Sequence, residues 1–217
     1  MSYQDESLET LQDIRRMMER SSRFISLSGL SGVSAGVFAL IGAYIAHLWL
    51  GGYHQGYNNR GGYAGEDFHS LILKLLLLAA SVLACALALA FYFTWKKTKN
   101  NKLPMWDHTS KKLLINLLIP LVTGGFFVLG LLYQHEWLLV APACLVFYGL
   151  ALVNASKYTL SDIRYIGFFE IAMGLANIFY PYYSLYFWAV GFGVLHIVYG
   201  LIMWWKYDMK TKTSRDK

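Results

Sequence analysis

The chain has 217 residues, 56% of them hydrophobic and only 15% charged, with a net charge of +6 and a mean hydropathy of +0.39. An ordinary soluble domain carries about 25% charged residues, so this composition points to lipid rather than water as the solvent. The two cysteines, Cys85 and Cys144, both lie in apolar stretches and form no CxxC pair, which speaks against a disulfide framework, thiol redox chemistry and a cysteine zinc site.

Residues 1–23 are polar and charged, without the apolar core of a cleaved signal peptide. Within them, residues 7–22 read as a cytoplasmic amphipathic helix, because Leu8, Leu11, Ile14, Met17 and Met18 recur at helical spacing. Arg15, Arg16, Arg20 and Arg23 suit anionic lipid headgroups at the membrane surface. Docking on a partner or a second protomer is the other use of such a helix.

A helix needs roughly 20 apolar residues to cross the hydrocarbon core. Six stretches have that character: 24–50, 71–95, 113–133, 137–154, 163–180 and 185–205. Backbone amides in lipid must be satisfied internally, so each is expected to be a helix. The fold class expected is an all-α integral membrane protein of six transmembrane helices, paired as three hairpins. The membrane domain occupies 24–206, and 207–217 form a basic cytoplasmic tail. In the first span Gly29, Gly32, Gly36, Ala39 and Ala43 recur every three or four positions, and Ala80, Ala84 and Ala88 answer in the second. Small residues let helices approach, so close packing of this first hairpin is expected, with a homo-oligomer face as the other use. Between the two, residues 51–69 hold six glycines and three tyrosines and read as a flexible outer loop. Trp49, Trp95, Trp137, Tyr180, Trp204 and Trp205 sit at span ends as interfacial belts.

Charge sets the expected orientation. Of the 19 lysines and arginines, seventeen flank one side of these spans, and Arg60 and Lys74 alone fall on the other. Basic flanks stay in the cytoplasm, so both termini are expected there, in a bacterial inner membrane. The excess of base needs no nucleic acid, since no zinc-finger spacing or RNA-binding signature accompanies it.

A partial repeat runs through the second half. The third and fifth spans carry Gly125-Phe126-Phe127 and Gly167-Phe168-Phe169, and the fourth and sixth carry Tyr148-Gly149-Leu150 and Tyr199-Gly200-Leu201. The stretch from Gly167 to Leu175 (GFFEIAMGL), then Pro181, then Gly193 to Leu201 (GVLHIVYGL), resembles the hairpin repeat of the HdeD-like acid-resistance membrane proteins. That resemblance implies six spans in glycine-marked hairpins and a role in envelope stress.

Candidate chemistry is sparse. Glu170 lies mid-span, with Met173 and Asn177 at i+3 and i+7 giving a mixed face. An ionised carboxylate there costs several kcal/mol, so it should be paired, protonated or turned inward. His196 lies near the same depth on the next span, and both residues stand three positions after one glycine and four before another. Glu170 and His196, with Asn177, thus form a candidate intramembrane proton site, or a neutral interhelical bond that holds the hairpin. His47, His54, His69 and His135 gather at the outer side but lack ligand spacing, so no metal and no cofactor is expected. A haem pair fails because His47 and His196 differ in depth. Asn154-Ala155-Ser156 is a glycosylation sequon on the cytoplasmic side. HExxH, P-loop and GxSxG motifs are missing, so no enzyme is expected. Two function classes fit: a non-enzymatic membrane protein that serves envelope stress or regulates a partner, and a proton-linked or small-solute transporter using Glu170 and His196.

Overall fold

Hydrocarbon offers a peptide group no hydrogen bond, and in the computed structural model the chain meets that demand with helices alone among the described residues, 28–60, 65–100 and 106–209. They are α1 (Gly29–Arg60), α2 (Gly65–Asn100), α3 (His108–Tyr133), α4 (Val140–Ala155, entered through a 3₁₀ turn at Trp137–Leu139) and α5 (Ile163–Phe179). The last, α6, joins a 3₁₀ turn at Pro181–Tyr183 to α-helical Ser184–Trp188 and His196–Met203, with π-helical turns at Ala189–Leu195 and Trp204–Met209.

Among the described residues, five stretches are long and apolar enough to cross a membrane: Gly29–Gly52, Phe68–Asn100, His108–Tyr133, Trp137–Ala155 and Pro181–Lys206. The fifth expected span, 163–180, forms α5, which is apolar but only 17 residues long. The amphipathic helix expected over residues 7–22, with Arg15, Arg16, Arg20 and Arg23, lies outside the described residues.

The segment 51–69, expected as a flexible loop, is instead helical on both sides of residues 61–64, since α1 continues through Arg60 and α2 begins at Gly65. Once a helix is nucleated each further residue adds a hydrogen bond, and no proline stops this run.

Packing departs from three self-contained hairpins. Gly29, Gly32 and Gly36 of α1 meet α6 rather than α2: a Cβ on Gly36 would stand 2.6 Å from the Gly193 carbonyl oxygen, and one on Gly200 would stand 2.7 Å from that of Gly29. The two pairs are each seven residues apart, two turns on either helix, so they register as antiparallel neighbours. Against α2, α1 offers Gly42, where a Cβ would fall 2.6 Å from a Val82 methyl. Ala80, Ala84 and Ala88 point outward and are exposed. Small residues allow close backbone approach, glycine most of all, and α6 supplies glycines at matching intervals where α2 has alanine and leucine. A second seam of the same kind joins α4 to α5. There a Cβ on Gly167 would stand 2.8 Å from the Gly149 oxygen, and one on Gly174 would stand 2.9 Å from the Pro142 oxygen.

The GFF repeat does not become a repeat of packing. Gly167 is pressed on α4, whereas Gly125 has nothing within 4 Å. It is Gly124 that faces a neighbour, the Phe147 side chain.

Pro120 lies inside α3. Its ring nitrogen cannot donate to the Asn116 carbonyl four residues back, which would leave an acceptor stranded in lipid. Asn154 of α4 fills the gap: its Nδ2 donates to the Asn116 backbone oxygen at 2.8 Å. The asparagine of the sequon is therefore a structural clamp between α3 and α4.

The ends of α3 are closed by local chemistry. Asp107 caps its start, accepting from the Ser110 amide and hydroxyl, each at 2.6 Å, and these bonds hold the Asp107 carboxyl below the usual carboxylate range. At the other end the Glu136 amide donates to Leu131 and that of His135 to Leu132, the double bond of a Schellman turn. His135 takes the left-handed position of that turn, at φ 63°. The turn sets its ring on Trp137, centroids 5.6 Å apart, and Trp137 in turn meets Phe68 of α2 edge-on at 5.9 Å.

Candidate functional site

Each functional side chain is placed by a glycine seam. The α4–α5 seam carries Glu170, three residues after Gly167, into the interior, and the α1–α6 seam does the same for His196 between Gly193 and Gly200. Glu170 is fully buried and His196 is 8% exposed.

The two meet, though not through a hydrogen bond: His196 Nδ1 stands 3.6 Å from Glu170 Oε1. The nearer partner of Nδ1 is the Gly191 carbonyl at 3.0 Å. A carbonyl only accepts, so Nδ1 carries the hydrogen. In the neutral ring Nε2 is then an acceptor, and the Tyr148 hydroxyl of α4 donates to it at 2.7 Å. Gly191 itself lies in the π-helical turn Ala189–Leu195, where the backbone departs from the regular α-helical ladder. Gly191 has a second duty, because a Cβ there would fall 2.7 Å from Glu170 Oε2.

Neither oxygen of Glu170 has a hydrogen-bond partner among the described residues. A buried carboxylate without donors is costly, so the site is in balance when the carboxyl holds a proton or a cation. Asn177, grouped with Glu170 by sequence, lies two turns further along α5, about 10 Å by helical rise. It is also fully buried, but its Oδ1 accepts from Ser184 Oγ at 3.1 Å and its Nδ2 is unpartnered among the described residues. The structure thus joins Glu170 to His196 and leaves Asn177 with the turn at Pro181–Ser184.

Tyr148 is the member that sequence reasoning misses. Along the chain it stands only as the first letter of the YGL repeat; a tyrosine one position before a seam glycine is the available signal.

Aromatic rings shield the site. Along α6, Trp188 packs on Phe192 at 5.3 Å and Phe192 stacks on His196 at 6.1 Å, while Tyr148 closes on both Phe192 (5.2 Å) and His196 (5.4 Å). A cavity of about 240 Å³ lies at the Trp188 end of this column, with Trp188 in its wall and neither Glu170 nor His196 among its lining residues. His47, His69 and His135 are exposed, and the side chain of His54 lies outside the described residues. Among the described residues, no three His, Cys, Asp or Glu side chains gather into a group that could hold a metal ion.

Comparison with family models, with curated proteins and with solved structures finds no match for this chain.

Proposed function

We propose that this chain is a non-enzymatic, six-span membrane protein of a bacterial inner membrane, and that it works by packing with or regulating a partner. The resemblance of the last hairpin to the HdeD-like proteins is what suggests an envelope stress role. In this reading α5 also crosses the membrane, as the fifth of the six spans, and Tyr148, His196 and Glu170 form a closed tie between α4, α5 and α6.

The observation that carries the reading is the burial of Glu170. Its carboxyl lies against Gly191 and the His196 ring, and the cavity lies beyond Trp188 and Phe192. A transport path would need water at this carboxyl. Proteoliposomes of the purified chain under a pH gradient should show the same proton flux for the native chain and for Glu170→Gln. A flux that titrates with pH and vanishes in Glu170→Gln would overturn the tie in favour of a proton-linked transporter. The observation favouring that second reading is the pair of Glu170 oxygens without a hydrogen-bond partner among the described residues.

Both termini belong in the cytoplasm in this proposal, on the strength of the seventeen-to-two distribution of base. Reporter domains fused after Lys99 and after Lys210 should both report cytoplasm. An external signal from either would break the six-span arrangement.

A further inference from the structure

We propose that the cavity between α1–α2 and α4–α6 is a binding site for one acyl chain of a membrane phospholipid, entering from the leaflet that meets the Trp137 end. Its walls are Gly42, Ala43 and Ala46 of α1, a stripe from Ile72 to Val82 on α2, and Ala141, Leu185 and Trp188 on the facing side. The polar chemistry in the lining comes down to Cys144, Ser184 and the indole N–H groups of Trp137 and Trp188. The Ser184 hydroxyl is already turned to the Asn177 side chain and the Pro181 carbonyl, at 3.1 and 2.7 Å. Nothing in the wall would recognise a charge or a hydrated solute.

Size and place identify the occupant. An apolar cavity of about 150 Å³ stays dry and admits a ring as large as benzene, and this one measures about 240 Å³. It lies between stretches long and apolar enough to cross a bilayer, where the material at hand is hydrocarbon. Its rim is reachable from outside, since Leu76 and Ala79 are both lining residues and exposed. At its outer end Phe68 meets Trp137 edge-on and His135 lies tilted against it, forming an aromatic cap. Such rings settle at headgroup depth, so a chain beneath the cap keeps its headgroup at the interface. The Schellman turn at His135 is what holds Trp137 in that cap.

The test uses the full chain in phosphatidylcholine vesicles doped with phosphatidylcholine bearing a diazirine on one acyl chain. After irradiation, mass spectrometry locates the labelled residues. Leu73 and Leu77, exposed on α2 and outside the lining, report contact with bulk lipid. Label is expected on Leu75, Cys144 and Leu185 as well as on that outer face. Ala79→Phe should abolish labelling of Leu75, Cys144 and Leu185 while leaving Leu73 and Leu77 unchanged. Should Ala79→Phe fail to fold, Leu76→Trp fills the same space from the rim. Label confined to Leu73 and Leu77 in the native chain would overturn the proposal. So would wall label that appears only when the diazirine is carried by free fatty acid.

Discussion

Leucine in place of Gly36 is expected to push α1 off α6 and to lower the stability of the chain in detergent by about 1–3 kcal/mol or more. The reason is what a side chain would meet. A Cβ on Gly36 lies 2.6 Å from the Gly193 carbonyl oxygen, 2.7 Å from an Ile197 side-chain carbon and 2.9 Å from the Ile197 amide nitrogen. Two of these atoms are backbone and cannot step aside one at a time, so the helices must part. In lipid the seam has no hydrophobic drive to fall back on, because its stabilisation is van der Waals contact between close backbones. Gly125 is the internal control, since it is also a mid-helix glycine but has nothing within 4 Å. Gly125→Leu should be neutral or gain up to about 1 kcal/mol from helix propensity. Thermal unfolding of the two variants side by side reads the difference, and equal effects would show that the seam is not close-packed.

His196→Leu should be the most damaging change in the buried site, at about 1–3 kcal/mol, because it strands the Tyr148 hydroxyl and removes the ring beside Glu170. The geometry ranks the couplings. Tyr148 bonds the ring at 2.7 Å, whereas Glu170 stands 3.6 Å away. Tyr148→Phe and His196→Leu should therefore be strongly non-additive, by roughly 0.5–3 kcal/mol in a double-mutant cycle. The cycle of Glu170→Leu with His196→Leu should give a weaker coupling of the same sign, and Glu170→Gln should be mild. Strict additivity of the Tyr148 and His196 substitutions would mean that the hydrogen bond contributes nothing. Stronger coupling of His196 to Glu170 than to Tyr148 would mean that the imidazole is held chiefly by the acid.

The helices could be read from the chain because apolar runs in lipid have a single way to satisfy their amides. Glu170 and His196 could be read because an ionisable group in such a run stands out against leucine and alanine. Tyr148 could not. In an apolar span a tyrosine looks like any large side chain, and its role depends on which helices adjoin, which spacing along one helix does not encode. The same limit explains the glycines. Their seven-residue intervals are visible in α1, α5 and α6, but α2 follows α1 in sequence, and only the assembled bundle shows that α1 turns its glycines to α6. The clamp of Asn154 on Asn116 is legible in principle, since Pro120 announces a missing amide bond, yet its partner lies 38 residues along the chain. The helical segment through Arg60 escapes any reading that weighs glycine content above the absence of proline.

The brevity of α5 bears on the membrane itself. Seventeen residues rise about 25 Å as an α-helix, whereas the hydrocarbon core is about 30 Å thick. The α2 stretch Phe68–Asn100, at 33 residues, reaches roughly 50 Å. In the six-span arrangement α5 is at the short limit for a span, and a bilayer that thins on the flank where Phe168, Phe169 and Leu175 are exposed matches it, while α2 tilts or projects on its own side. A protein with one low wall and one tall wall deforms the lipid around it unevenly, at a cost of fractions of a kcal/mol per ångström of mismatch. That cost falls when a second thin-walled protein shares the depression, so the flank beside α5 is where the elasticity of the bilayer would draw a neighbour.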